Sequence, residues 1–132
     1  MQYILNQRYD ETASINFIGY ETIGNAAPNQ KVLSLKTDTI SSVIKFTSFS
    51  DSVTLNDTNI QRKFKYKQCE NWSDLQDIGE LCNISINPNC NFELELLYYF
   101  TDNGNLSAPP ATISNVKIDF TYNIEKTNGI VS

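Results

Sequence analysis

Histidine is absent from the 132 residues. That removes the commonest general base, the Ser-His and Cys-His nucleophile pairs and the commonest metal ligand together. Any catalytic reading must rest on carboxylates, lysine or bare cysteine. Positive charge is also short: ten Lys and Arg stand against fifteen Asp and Glu, a net charge of -5. Nucleic acid and anionic membranes both recruit clustered Lys and Arg, so neither is expected as a partner. No apolar run approaches the roughly 18 residues that would cross a bilayer. Met1 to Arg8 has no basic n-region and no apolar h-region, so no secretory signal is expected. Alanine occurs five times, which gives helices little to build on.

What the sequence does contain points to strands and turns. Asn, Ser and Thr supply 39 residues, Asn alone 16, and Ile 14. β-Branched residues favour a pleated surface, and Asn and Ser favour turns. Length and the 40% hydrophobic content fit one domain with its own core. Period-two alternation is clearest in three places. Asn91 to Thr101 sets Phe92, Leu94, Leu96, Tyr98 and Phe100 on one face and Glu93, Glu95, Leu97 and Tyr99 on the other. Ser114 to Glu125 sets Val116, Ile118, Phe120, Tyr122 and Ile124 inward, and Ile60 to Gln68 alternates Phe64 and Tyr66 with Lys63, Lys65 and Lys67. Further strands are expected over Ser14 to Tyr20, Lys31 to Lys36, Ser52 to Leu55 and Cys82 to Ile86. One more is expected over Thr39 to Phe49, with Ile40, Ser42, Ile44 and Phe46 on one face. Asn71 to Leu81 is the best helical candidate, expected as a turn, a short helical loop or an extended segment carrying Trp72. The fold class is all-β: an antiparallel β-sandwich, fibronectin-like or jelly-roll-like, of roughly eight strands with little helix. Residues 1–132 form a single domain, with 1–12 and 127–132 as extended arms.

Candidate sites are few. Cys69, Cys82 and Cys90 are spaced by thirteen and eight residues, which matches no zinc pattern. Buried free thiols are expected, with a Cys82–Cys90 pair as the alternative in an oxidising setting. Glu93 and Glu95 share one face of a strand, a spacing glycosidases use, but they fit better as a solvated face met by lysines such as Lys117. The scattered Asp51, Asp57, Asp74, Asp77 and Asp102 make no calcium ladder. No catalytic residue, metal or cofactor is therefore expected. Tyr98 and Tyr99 are adjacent, so one must leave the core. Tyr3, Tyr9, Tyr20 and Tyr99 fall off the core face by pattern and are the expected contact residues. Trp72, the sole tryptophan, with surface tyrosines could instead form a sugar-stacking platform.

From Ile60 to Glu125 the chain has a recognisable cadence. A charged-aromatic strand (RKFKYK, Arg62 to Lys67) leads to a Trp-Ser loop (NWSDLQDI, Asn71 to Ile78) and a short segment (CNISINPN, Cys82 to Asn89). A long alternating strand (FELELLYYF, Phe92 to Phe100) and a closing strand (ATISNVKIDFTYNIE, Ala111 to Glu125) follow. This resembles a β-sandwich module of large structural proteins of tailed bacteriophages. Crass-like phages of gut Bacteroides share the Asn/Ile-rich vocabulary. Clearer members carry Trp-Ser-Glu-Trp where this chain has Trp-Ser-Asp-Leu. The resemblance implies a non-enzymatic virion subunit of neck, collar, tail or capsid, assembled in the host cytoplasm. Its partners would be other virion proteins and copies of itself, with no small-molecule ligand. A carbohydrate-binding or adhesion module using Trp72 is the alternative.

Overall fold

The computed structural model describes the backbone of residues 3–17, 20–24, 30–56, 58–102 and 111–131. Within those ranges it describes the side chains from 10 to 123, residues 22–24 and 102 excepted. The strands are β1 (Tyr3–Phe17), β2 (Glu21–Gly24), β3 (Gln30–Lys36), β4 (Val43–Thr54) and β5 (Thr58–Gln68). They continue with β6 (Asn71–Trp72), β7 (Gln76–Asp77), a 3₁₀ helix over Ile78–Asn83, β8 (Phe92–Asp102) and β9 (Thr112–Val131). One sheet has the order β1-β9-β4; the other has β2-β3-β8-β5-β6, with β7 also on β5. Every ladder is antiparallel. The chain is an all-β sandwich, as its alternation predicts.

The core is the sum of the inward faces. Phe92, Leu94, Leu96, Tyr98 and Phe100 of β8 are all buried, as are Phe64 of β5 and Leu33 and Leu35 of β3. The smaller sheet contributes Val43, Phe46, Val116, Ile118 and Phe120. Phe46 meets Phe92 at 5.3 Å and Phe120 at 6.3 Å between ring centroids, so aromatic rings tie the layers together. Truncating such a ring to alanine typically costs about 3–5 kcal/mol.

A partly buried ion pair also crosses between the sheets. Arg62 of β5 lies on the core face, where its Nε donates to Asp51 Oδ2 of β4 at 2.6 Å and its Nη2 to Oδ1 at 3.1 Å. The Tyr98 hydroxyl donates to the same Oδ2 at 2.6 Å. Burial, and then the hydrogen bond to Asp51, push the Tyr98 phenol well above its ordinary range.

Two strand expectations need correction. Ile40 makes a single bridge to Phe92 in the larger sheet, and Ser42, at φ 60°, turns the chain into the smaller one. β4 therefore starts at Val43, and it buries Val43 and Phe46 rather than a face running Ile40, Ser42, Ile44, Phe46. Its pairing with β9 slips between Val43 and Lys45, Phe46 and Ser48, and Ser50 and Ser52. Each slip resets which face a residue takes, which period-two reading cannot follow. Cys82 to Ile86 is not a strand. The 3₁₀ helix takes it as far as Asn83, and Ile84 and Ile86 pack on the core without a ladder. The Gln68 side chain serves that segment instead, accepting from the Asn87 N–H at 2.7 Å and donating to the Ser85 carbonyl at 3.5 Å.

Candidate functional site: the Trp72 groove

The outer face of the larger sheet carries a cross-strand charge lattice. In the ladder Lys65 stands opposite Glu95, Lys67 opposite Glu93, and Lys36 opposite Glu95 from the other side. Glu95 is buried, accepting from Ser34 Oγ at 2.5 Å with Lys65 Nζ at 3.3 Å and Lys36 Nζ at 3.9 Å. Glu93 lies 3.5 Å from Lys67, which also meets Glu70 at 3.4 Å. The bond to Glu70, more than Glu93, raises the Lys67 ammonium above its ordinary value. The lysines facing the carboxylates are thus those of β5 and β3. Lys117, named from the sequence, pairs with Asp119 in the other sheet at 3.8 Å.

Trp72 rises beside this lattice. A two-residue turn, Cys69-Glu70, joins β5 to β6, with φ of 50° and 66°. Left-handed backbone at both positions is the geometry that matches strand twist in a tight hairpin, and Asn-Gly usually supplies it. Here neither residue is glycine, at a cost on the order of 1 kcal/mol each. Two features hold the turn. A Cys69–Cys90 disulfide ties it to the segment entering β8, and Ser73 clamps the far side. The Ser73 N–H donates to the Tyr66 carbonyl at 2.7 Å while its Oγ accepts from the Tyr66 N–H at 3.0 Å. Lys65 Nζ lies 5.2 Å over the indole centroid, yet 48% of Trp72 stays open to solvent.

Between Trp72 and Lys36 runs a groove of about 330 Å³, with Thr37, Lys65, Glu93, Leu94 and Glu95 completing its lining. That lies at the lower end of small-molecule sites. Thr37 is fixed by its N–H to the Leu94 carbonyl at 3.0 Å and by its Oγ1, which accepts from the Leu94 N–H at 2.9 Å.

The structure scatters the tyrosines named from the sequence. Tyr3 and Tyr9 pair in backbone register with Val131 and Ile124, and their side chains lie outside the described residues. Tyr20 follows β1 and is 61% exposed. Tyr99 is half-buried on the outer face of the larger sheet, between Val32 and Gln61. The thiol expectation is corrected: Cys69 and Cys90 are bonded, and the remaining Cys82 is exposed on the 3₁₀ helix. Sequence reading also missed the Asp51–Arg62–Tyr98 cluster. Among the described residues no group of three His, Cys, Asp or Glu side chains could hold a metal ion, and no helix is long and apolar enough to cross a membrane. No protein family, curated protein or solved structure matches the chain.

Proposed function

We propose that the chain is a non-enzymatic assembly module that joins its neighbours by strand addition along β1, as a structural subunit of a bacteriophage particle. One observation carries the assembly reading. β1 is fifteen residues long and, among the described residues, pairs only with β9, so one side of its backbone is open. A long unpaired edge is a template for another strand. The particle assignment rests on the sequence resemblance over Ile60 to Glu125. In such a particle the Cys69–Cys90 bond would close only after release from the reducing host cytoplasm, since disulfides persist on virion surfaces. A non-enzymatic role is supported by the only paired carboxylates of the candidate site, Glu93 and Glu95, being committed to lysines and Ser34.

Light scattering over a concentration series tests the proposal. The chain should form a closed oligomer. Thr12→Pro and Ala13→Pro then locate the contact. Adjacent strand residues aim their N–H groups to opposite sides, so one proline breaks the β9 ladder and the other blocks the open edge. The edge-facing variant should keep the native circular dichroism and become monomeric. A monomer at every concentration, or an oligomer indifferent to both prolines, would overturn self-assembly through β1.

A further inference from the structure

We propose that the groove between Lys36 and Trp72 is a binding site for a neutral carbohydrate, and that the Cys69–Cys90 disulfide sets its Trp72 wall. The ligand class follows from the lining. Lys36 and Lys65 balance Glu93 and Glu95, and all four side chains already stand in ion pairs. An ionic ligand would meet one sign of charge it is attracted to and one that repels it. A hydroxyl-rich neutral ligand meets acceptors and donors side by side, which is what vicinal hydroxyls use. The half-exposed indole supplies the apolar surface that the C–H face of a pyranose covers. Glu95 is buried and fixed by Ser34, so the groove floor is rigid before any ligand arrives.

The disulfide joins the two chain segments that lead to Trp72 and Glu93. Cys69 lies three residues before Trp72, and Cys90 three residues before Glu93. A dithiol reductant would pass two electrons and two protons to the S–S bond, leaving two thiols and becoming a disulfide itself. The left-handed Cys69-Glu70 turn would then lose its tether, and Trp72 its fixed place above the groove.

The chain holds one tryptophan, so its emission reads the site directly. The probes are neutral oligosaccharides (gluco-, galacto-, manno- and chito-series), with uronic-acid and amino-sugar oligomers as charged comparators, up to about 10 mM, which detects a site as weak as a millimolar Kd, about 4 kcal/mol. A neutral member should shift Trp72 emission to the blue and shield it from acrylamide. Binding on an immobilised array of the same sugars should fall about tenfold in Trp72→Ala, by the loss of one aromatic contact, and in the milder Lys36→Ala. Dithiothreitol, or Cys69→Ser with Cys90→Ser, should weaken binding and raise acrylamide quenching of the folded chain. No response to any neutral sugar, tighter binding of a charged one, or binding unchanged in a folded Trp72→Ala would overturn the site. Equal quenching and binding in the reduced chain would overturn the role of the disulfide.

Discussion

The six-stranded sheet ends on strands of four and two residues, whereas the three-stranded sheet ends on strands of fifteen and twelve. Short edges protect a sheet from pairing with strangers, and long ones invite it. The surfaces differ in the same sense. On the larger sheet, lysines and glutamates answer each other across strands, and a disulfide fastens its corner. On the smaller sheet, the central Asp119 accepts from Ser14 of β1 at 2.5 Å and from Ser48 of β4 at 2.8 Å. β9 also runs on past β4, whose pairing reaches Tyr122, so that, among the described residues, 124–131 pair with β1 alone. A two-stranded ribbon is marginal in water without further packing. Among the described residues, one sheet closes on short edge strands and the other leaves long ones unpaired on their outer sides. Under the proposed function and the proposed groove ligand, ligand recognition would belong with the first and assembly with the second.

The largest test of that division is to cut the polar link between the sheets. Arg62→Ala leaves Asp51 buried with the Tyr98 hydroxyl and no cation. Breaking a buried pair costs about 3–5 kcal/mol and an exposed one at most about 1, so this part-buried pair, with Arg62 30% exposed, should cost about 2 kcal/mol. Urea unfolding measures the loss, and a cycle with Asp51→Ala isolates the pair. If the two sheets then melt in separate steps, they are independent units joined by that link. A single lowered transition shows the shared aromatic core to be the stronger bond.

How much of this was readable beforehand differs along the chain. β8 and β9 announced their inward faces because a single uninterrupted register keeps period two intact from Phe92 to Phe100 and from Val116 to Phe120. β4 did not, since three register slips and the sheet change at Ser42 scramble its faces. Lys63, Lys65 and Lys67 could be assigned to one face of a strand. That this face meets Glu93 and Glu95 needed the strand order, which no strand pattern records. The Cys69–Cys90 pairing depended on a turn built without Asn-Gly, so no turn signal marked its position. Arg62 is hidden among the basic residues of RKFKYK, and only its parity with Phe64 and Tyr66 places it inward.

A smaller test stays within the three-stranded sheet. Thr121 stands between Thr12 and Lys45 in the ladder, and its Oγ1 is buried with no hydrogen-bond partner among the described residues. An unmade bond to a buried hydroxyl costs about 1 kcal/mol or more. Thr121→Val keeps the β-branched shape and removes the orphan oxygen. The expected outcome is a gain of about 1 kcal/mol in denaturant stability. A loss of that size would show that the hydroxyl makes a bond the described side chains do not account for.

The smallest expected effect is on the solvent side of that sheet and concerns pH. The hydroxyls of Ser14, foremost, and Ser48 donate to Asp119 and hold its carboxyl below the ordinary value of 3.8. A carboxylate whose folded pKa is depressed adds stability at every pH above its unfolded value. That contribution drains away as pH falls through the folded value. The window therefore opens near 3.8 and runs downward. Asp119→Asn should leave neutral-pH stability little changed, because the site is exposed, and should flatten the acid limb of the urea midpoint against pH. The larger sheet supplies the control. Lys67→Gln removes a charge from its surface lattice without touching Asp119, so the acid limb set by Asp119 should persist. An acid limb that survives Asp119→Asn and disappears in Lys67→Gln would move the pH-sensitive element from the three-stranded sheet to the larger one.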